Sequence, residues 1–494
     1  MAEWRIAETK HFLIYSDDSK KDIIKFAERL ERIDKLMRMA NRVPDDLPPV
    51  KVRVFVVDDM REVQEALGRK NSGVAGFYTS NSHGPFAVVP RRIRGGGIIF
   101  TPETVLFHEY AHHFMLQYTP SVYPSWYIEG FAELVGSTRF ISDDVMAYGW
   151  ANNARAQGLY HARSVPASAL LLNRSDELPD DMDFYGRAWL LTHYLTFSEE
   201  RQGQLEAYLR ALEQGRSREE AATVFGDLDA LDREVARYLR GAEFPAVKVE
   251  IEFDEPVVQN MRPLSEGEAA LVTEMAAFRD YDLSSLDDLD DDEKREDIEK
   301  RSQKYVERVR RKAAYHPQDP HALRLLADAE YVAGNYQAAN RAADRLLAAD
   351  PDNPGGMLRK GMTMLKLAAD GDEPVTAETA ERARRWIIKA NRADPDDPQP
   401  LIAYYKSFLM AGENPPEIAV AGLIQAVQTA FWDFNSRWLL AEQLISDERI
   451  DEAIAVLAPI AYAPHRSSRQ QQALEKLNEL QQMRAGEQAD KDAA

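Results

Sequence analysis

Val105-Leu106-Phe107-His108-Glu109-Tyr110-Ala111-His112-His113-Phe114 is a strongly helical stretch with His108 and His112 four positions apart. An α-helix advances about 100° per residue, so the two imidazoles lie about 40° from one another on one face and reach a single metal ion. Glu109 lies beside them, placed to polarise a water on that metal. A zinc ion that does chemistry usually takes three protein ligands and leaves one position for water, so a third His or carboxylate is expected from a neighbouring element. Pro124-Ser125-Trp126-Tyr127-Ile128-Glu129-Gly130-Phe131-Ala132-Glu133 supplies it. A helix beginning near Pro124, reached by a short turn through Thr119-Pro120-Ser121, runs antiparallel to the first and sets Glu129 opposite the two histidines. His113 points about 100° away from His112, which makes it a neighbour of the site or a packed histidine rather than a ligand.

The elements that carry these helices are a small sheet and, farther on, a helical array. Residues 1–58 read as strand, helix, strand: Trp4 to Ser16 is β-prone, Lys20 to Arg42 has helical apolar spacing, and Val50 to Val57 alternates Val and Phe with basic residues. Short strands are expected at Phe86–Val89 and Ile98–Phe100 between Gly-rich turns, and helices from Pro102 to about Leu239. Pro245, Pro256 and Pro263 surround a strand-like Val247 to Phe253, so 245–263 reads as a linker. Beyond it, Pro317, Pro351 and Pro395 close helical segments in similar contexts, 34 and then 44 residues apart, the excess assigned to an insertion at 369–374. That period resembles the tetratricopeptide repeat. Leu323, Leu326, Ala327, Gly334, Tyr336, Ala339 and Pro351 stand at its packing positions, with Glu330 and Ala343 in usual aromatic places. A further unit at 434–466 keeps Leu440, Ala441, Leu444, Ala453 and Leu457, so 264–482 is expected to be a short solenoid and 483–494 a flexible tail. The expected fold class is α+β, a small mixed sheet plus a helical zincin-type domain, followed by an all-α tetratricopeptide-like solenoid.

The segment around His108 and Glu129 resembles the gluzincin metallopeptidases, in which His-Glu-x-x-His is followed some sixteen to twenty residues later by a ligand Glu, often within a Trp-x-x-Glu-Gly-Phe-Ala phrase. Trp126-Tyr127-Ile128-Glu129-Gly130-Phe131-Ala132 matches that phrase, and the likeness spans about residues 70–200 of a domain placed at 1–244. It implies one zinc per chain held by His108, His112 and Glu129, with Glu109 as the base that activates water. It also implies that Glu133 orients a ligand imidazole; a solvated helix position is the other reading of Glu133. Tyr185-Gly186-Arg187-Ala188 looks like the Tyr-x-Lys-Gly segment of aminopeptidase-type gluzincins, which carries to Tyr185 the stabilising of the oxyanion; the alternative is a packing Tyr. No Gly-x-Met-Glu-Asn segment precedes the zinc helix, so the resemblance implies an endopeptidase rather than capture of a free substrate amine. Together the two likenesses are those of bacterial peptidase-like proteins with a gluzincin domain before tetratricopeptide repeats.

Composition bounds the partners. The chain has 494 residues and a net charge of −21, so a grip on nucleic acid needs a local basic patch, and the compact one is Arg91, Arg92 and Arg94. Those arginines read as a solvated loop or as a contact for an acidic substrate. No run of 18 apolar residues spans a membrane. With Cys 0 there are no disulfides or thiolate sites. The Met-Ala-Glu-Trp start without a signal peptide fits a mature periplasmic or secreted protein, the expectation here, or a cytoplasmic one. Asp287 to Glu293 is expected to be an acidic loop rather than a docking or calcium site, and His193 a core residue. The expected function is zinc-dependent hydrolysis of a peptide or protein substrate, which adds as a strand beside Phe86–Val89, while the solenoid holds substrate or partner. Deleting 264–494 should then impair cleavage of a protein more than of a short peptide. The competing reading is an inactive peptidase-like scaffold acting through its repeats.

Overall fold

The computed structural model describes residues 3–45, 50–68, 74, 76–81, 83–92, 101–119, 123–153, 155, 158–159, 165–173, 178, 183–241, 243–278, 292–369, 375–461 and 468–493. The expected strand at Ile98–Phe100, Arg94, most of the expected turn after Thr119, residues 370–374 of the insertion and most of the acidic run lie outside them.

The N-terminal unit is built on a six-stranded mixed sheet. Its strands are β1 (Arg5–Glu8), β2 (Phe12–Ser16), β3 (Val52–Val57), β4 (Phe77–Asn81), β5 (Gly84–Pro90) and β9 (Asn260–Pro263), ordered β4-β5-β3-β2-β1-β9. β2, β3 and β5 run parallel, and the outer pairings are antiparallel. The β-prone stretch from Trp4 is thus two strands turning at Thr9–His11. Period-two alternation sends successive side chains to opposite faces, and both faces are covered. Phe12, Ile14, Val52, Val54, Ala87 and Val89 meet α1 (Lys20–Asn41) and α3 (Pro102–Tyr118). Tyr15, Phe55, Val57, Phe86 and Val88 meet Val63 and Ala66 of α2 (Met60–Leu67), and also Val272 and Ala276. Phe86–Val89 is therefore an interior strand, not the exposed edge expected of it; among the described residues the outermost strand on that side is β4.

A second, antiparallel sheet joins β6 (Arg139–Phe140), β7 (Val145–Tyr148) and β8 (Val247–Glu250). The segment 245–263 is consequently no linker: β8 pairs with β7 and β9 with β1, closing both sheets of the N-terminal unit. Between the sheets' strands in sequence come α4 (Ser125–Gly136), α5 (Ala167–Leu172), α6 (Phe184–Phe197), α7 (Gln204–Glu213), α8 (Arg218–Ala222) and α9 (Leu228–Gly241). They enclose a second core around Trp126, Trp189, Leu191, Tyr208 and Phe225.

Beyond Leu264 the described residues are helical. α10 (Glu266–Ala270), α11 (Val272–Ala277) and α12 (Asp292–Ala313) precede pairs α13 (Pro320–Val332) and α14 (Tyr336–Ala349), α15 (Pro354–Ala369) and α16 (Ala377–Ala393), α17 (Gln399–Met410) and α18 (Glu417–Thr429), α19 (Phe434–Ser446) and α20 (Ile450–Ala461), with α21 (Ser468–Ala493) last. From α12 onward each helix packs on its successor through α18, α19 and α20 to α21, which is the architecture of a helical repeat. The longer second repeat takes up part of its insertion as helix, 16 and 17 residues against 13 and 14. Glu330, at a usual aromatic position, is buried and paired with Arg310 of the preceding helix. The tail expected at 483–494 continues α21 to Ala493. Among the described residues no helix is long and apolar enough to cross a membrane.

Candidate metal centre

α3 starts where the sequence supplies both a cap and a stop: Thr101 accepts from the Thr104 N–H, and Pro102 opens the first turn. α4 runs antiparallel to it, with Gly136 against Thr104 and His108, and Glu129 against His108 and His112. The close crossing needs small residues. A Cβ on Gly136 would stand 3.0 Å from Thr104 O and 3.2 Å from His108 Cβ. On the far side of α4, a Cβ on Gly130 would stand 2.1 Å from Thr192 Oγ1 and 2.4 Å from Ala188 O of α6. Gly130 thereby lets the helix bearing Tyr185 lie directly on the helix bearing Glu129.

Three ligand atoms converge. His108 Nε2 and His112 Nε2 are 3.2 Å apart, their rings nearly perpendicular, and each is 3.5 Å from Glu129 Oε2. A tetrahedral zinc with bonds of about 2.0–2.2 Å separates its ligand atoms by about 3.3 Å, so the two-nitrogen, one-oxygen set fits the expected ion in kind and in size. Glu129 Oε2 is buried and makes no hydrogen bond among the described residues. Burial alone pushes the Glu129 carboxyl up, but the His108 and His112 imidazoles outweigh it and hold it far below the usual carboxylate range. For His108 burial works downward and is outweighed by Glu129, Glu133 and Glu109, which raise it. Other groupings are poorer: in His11, Asp34 and Asp45, Asp34 is taken by Arg38 and Tyr110, and Asp45 by Lys10; Asp144, Glu250 and Glu252 are largely exposed.

The surrounding residues divide into those aimed at the triangle and those that brace it. Glu133, one turn beyond Glu129 and buried, places Oε1 3.4 Å from His108 Nδ1, the ring nitrogen turned away from the triangle. It is itself held by Arg155 at 2.6 Å and by Asn152 at 2.8 Å. Nothing in the spacing of the sequence marks Asn152 or Arg155, which follow β7 in the chain. The Asp183 side chain caps α6 by accepting from the Gly186 N–H, and Tyr185 follows at the helix start, 37% exposed, with its ring 6.5 Å from that of His108. Arg155 lies over the Tyr185 ring at 5.0 Å. Burial, with Glu129 next, raises the Tyr185 hydroxyl, against the lowering effect of Arg155, so it stays a donor at neutral pH. Glu109 is half-buried on the face of α3 turned to β4, and its charge acts on Tyr78, on His108 and on Tyr185.

Other candidates fall elsewhere. His113 is buried, accepts from the Tyr78 hydroxyl at 2.7 Å and is pushed down to about 3 by burial, so it packs rather than ligates. His193 lies in the core between Gly149 O and the Tyr238 hydroxyl. Arg187 donates to Val165 O, away from the triangle. Arg91 is neither solvated nor awaiting an acidic ligand, because Asp17, Asp18 and Asp58 surround it.

Fold and site together define an α+β unit with a two-histidine, one-glutamate cluster, joined to a helical repeat. No protein-family model and no curated protein matches the chain. Among solved structures it is similar to a thermophilic TPR protein in Thermus thermophilus, at 22% identity and a TM-score of 0.33, over 43% of this chain and 98% of that one.

Proposed function

We propose that the chain is a zinc-dependent metallopeptidase that hydrolyses internal peptide bonds of a peptide or protein substrate. The observation that carries this reading is the triangle of His108 Nε2, His112 Nε2 and Glu129 Oε2, with Glu109 and Tyr185 beside it. Bound there, zinc would supply Lewis acidity and lower the pKa of water from 15.7 towards about 7. Glu109 takes a proton from the attacking water and passes it to the leaving amine. The Tyr185 hydroxyl donates to the oxygen on which negative charge develops. Glu133, braced by Arg155 and Asn152 and 3.4 Å from His108 Nδ1, orients that ring so that the Nε2 lone pair stays directed at the triangle. An extended substrate adds beside β4, the outermost strand on that side among the described residues, where main-chain hydrogen bonds give binding with little side-chain selectivity. Plasma mass spectrometry should find about one zinc per chain in the wild type and none in Glu129→Ala, with fluorogenic-peptide hydrolysis abolished in Glu109→Gln.

The scaffold reading draws on the helical repeat, which spans nearly half of the chain. A wild type that takes up no zinc after reconstitution favours it.

A further inference from the structure

Glu133 and Tyr185 stand on different helices, and one guanidinium touches both. Arg155 Nη2 donates to Glu133 Oε1 at 2.6 Å, and the central carbon of the same guanidinium lies 5.0 Å from the centre of the Tyr185 ring. Glu133 Oε1 is also the atom 3.4 Å from His108 Nδ1. Buried Asn152 closes the arrangement: its amide donates to Glu133 Oε2 at 2.8 Å, and its carbonyl oxygen accepts from the Arg155 backbone N–H at 3.3 Å. Arg155 is thereby fixed through its side chain and through its backbone. Farther along, a Cβ on Gly158 would stand 2.4 Å from Asp183 Oδ2, of the side chain that caps α6, and one on Gly186 would stand 3.1 Å from Leu159 Cγ. The chain that follows β7 thus lies against Glu133 of α4 and against the first turn of α6.

Tyr185 needs a support of this kind. Packing through Gly130 fixes the backbone of α6 on α4, but Tyr185 is 37% exposed in the first turn, and a side chain so placed exchanges between staggered rotamers unless a neighbour holds one of them. A cation within about 6 Å of a ring centroid is attracted to the face of the ring, and a planar guanidinium also stacks on it, as a compact ammonium does not. We propose that Arg155 is a positioning residue that sets the Tyr185 ring by reference to His108, through Glu133. One side chain then locates both the imidazole that faces the triangle and the ring that carries the hydroxyl. What the Tyr185 hydroxyl donates to rests on the peptidase reading; its placement by Arg155 does not.

The first measurement uses the full-length chain freed of metal by a chelator and labelled with 3-fluorotyrosine, the Tyr185 fluorine signal being the one missing from Tyr185→Phe. In Arg155→Lys and in Arg155→Met that signal is expected to move about halfway or more towards the position of free 3-fluorotyrosine, with the other tyrosine signals in place. With zinc restored, Arg155→Lys should hold zinc within about twofold of wild-type affinity, because its ammonium still neutralises Glu133, while kcat for a fluorogenic peptide falls about tenfold at little-changed KM. In Tyr185→Phe, which has no hydroxyl left to place, the same substitution should lower kcat by less than about twofold. A Tyr185 signal that stays in place in both variants overturns the proposal, as does movement of the tyrosine signals at large, or an equal fall in kcat with and without the hydroxyl. Should the wild type hold no zinc and cleave no peptide, the peptidase reading fails, while the fluorine comparison, made without metal, still decides whether Arg155 sets Tyr185.

Discussion

On the proposed reading each side chain around the triangle has a separable task, and single substitutions should separate them. Glu129→Ala removes one of three ligand atoms and should abolish zinc binding. Glu109→Gln keeps all three, so zinc content should equal that of the wild type while kcat falls by about 100-fold or more, the usual size of a lost general base. Zinc lost along with activity in Glu109→Gln would instead make Glu109 part of the metal's support. Tyr185→Phe removes only the hydroxyl, and its ring packing beside His108 should survive. The expected result is a fall in kcat of about 100-fold with KM little changed, as for loss of one oxyanion donor. A rise in KM alone would leave Tyr185 as a wall of the cleft. Glu133→Gln should weaken zinc affinity by about 10-fold to 100-fold, measured by competition with a chelator.

At the level of elements, α4 is the keystone: its Trp126 enters one core, its Phe131, Ala132 and Val135 another, and the face between carries Glu129 and Glu133. Gly130→Ala should force α4 and α6 apart, costing about 1–3 kcal/mol in chemical denaturation, with hydrolysis reduced because Tyr185 retreats with α6. Two elements also carry histidines buried in the neutral form. Burial pushes His193 down to about 4 and His113 to about 3, from an ordinary 6.5. Below pH 6.5 the unfolded chain takes up protons on both that the folded chain refuses, so stability rises with pH across this window and is lost on acidification. The loss between pH 7 and pH 5 is about 2 kcal/mol apiece. Urea denaturation at the two pH values measures it, and His193→Gln should be less acid-sensitive than wild type. Equal sensitivity would remove His193 from the account.

Over the whole molecule, the boundary between the N-terminal unit and the repeat is a shared core rather than a hinge. Val272 and Ala276 cover the sheet face of Tyr15, Phe55, Phe86 and Val88, and Phe431 and Trp432 cover Val50 and Leu116. A chain cut after residue 263 therefore exposes a broad apolar surface, and it should lose soluble yield and hydrolysis of short peptides as well as proteins. The sequence expectation of a selective loss on protein substrates assumed that the two halves were independent. A chain cut after residue 279 retains the covering helices and should unfold at a higher temperature than the shorter one. Equal melting of the two fragments would show that α10 and α11 contribute nothing to the sheet.

Spacing along the chain was enough for the helices, for His108, His112 and Glu129, and for the four helix pairs, because a 3.6-residue period ties position in sequence to position on a face. Strand pairing has no such local rule. Residues 245–263 read as a Pro-rich connector, and only pairing with β1 and β7, far off in sequence, makes them part of two sheets. For the same reason Phe86–Val89 passed for an edge until β4 was laid beside it. Asn152 and Arg155 meet Glu133, and His83 lies beside Asp328, more than two hundred residues away, only in the folded chain. The size of the ligand triangle and the hold of the repeat on the sheet arise from helix crossings and long-range contacts, and those exist only once the chain has folded.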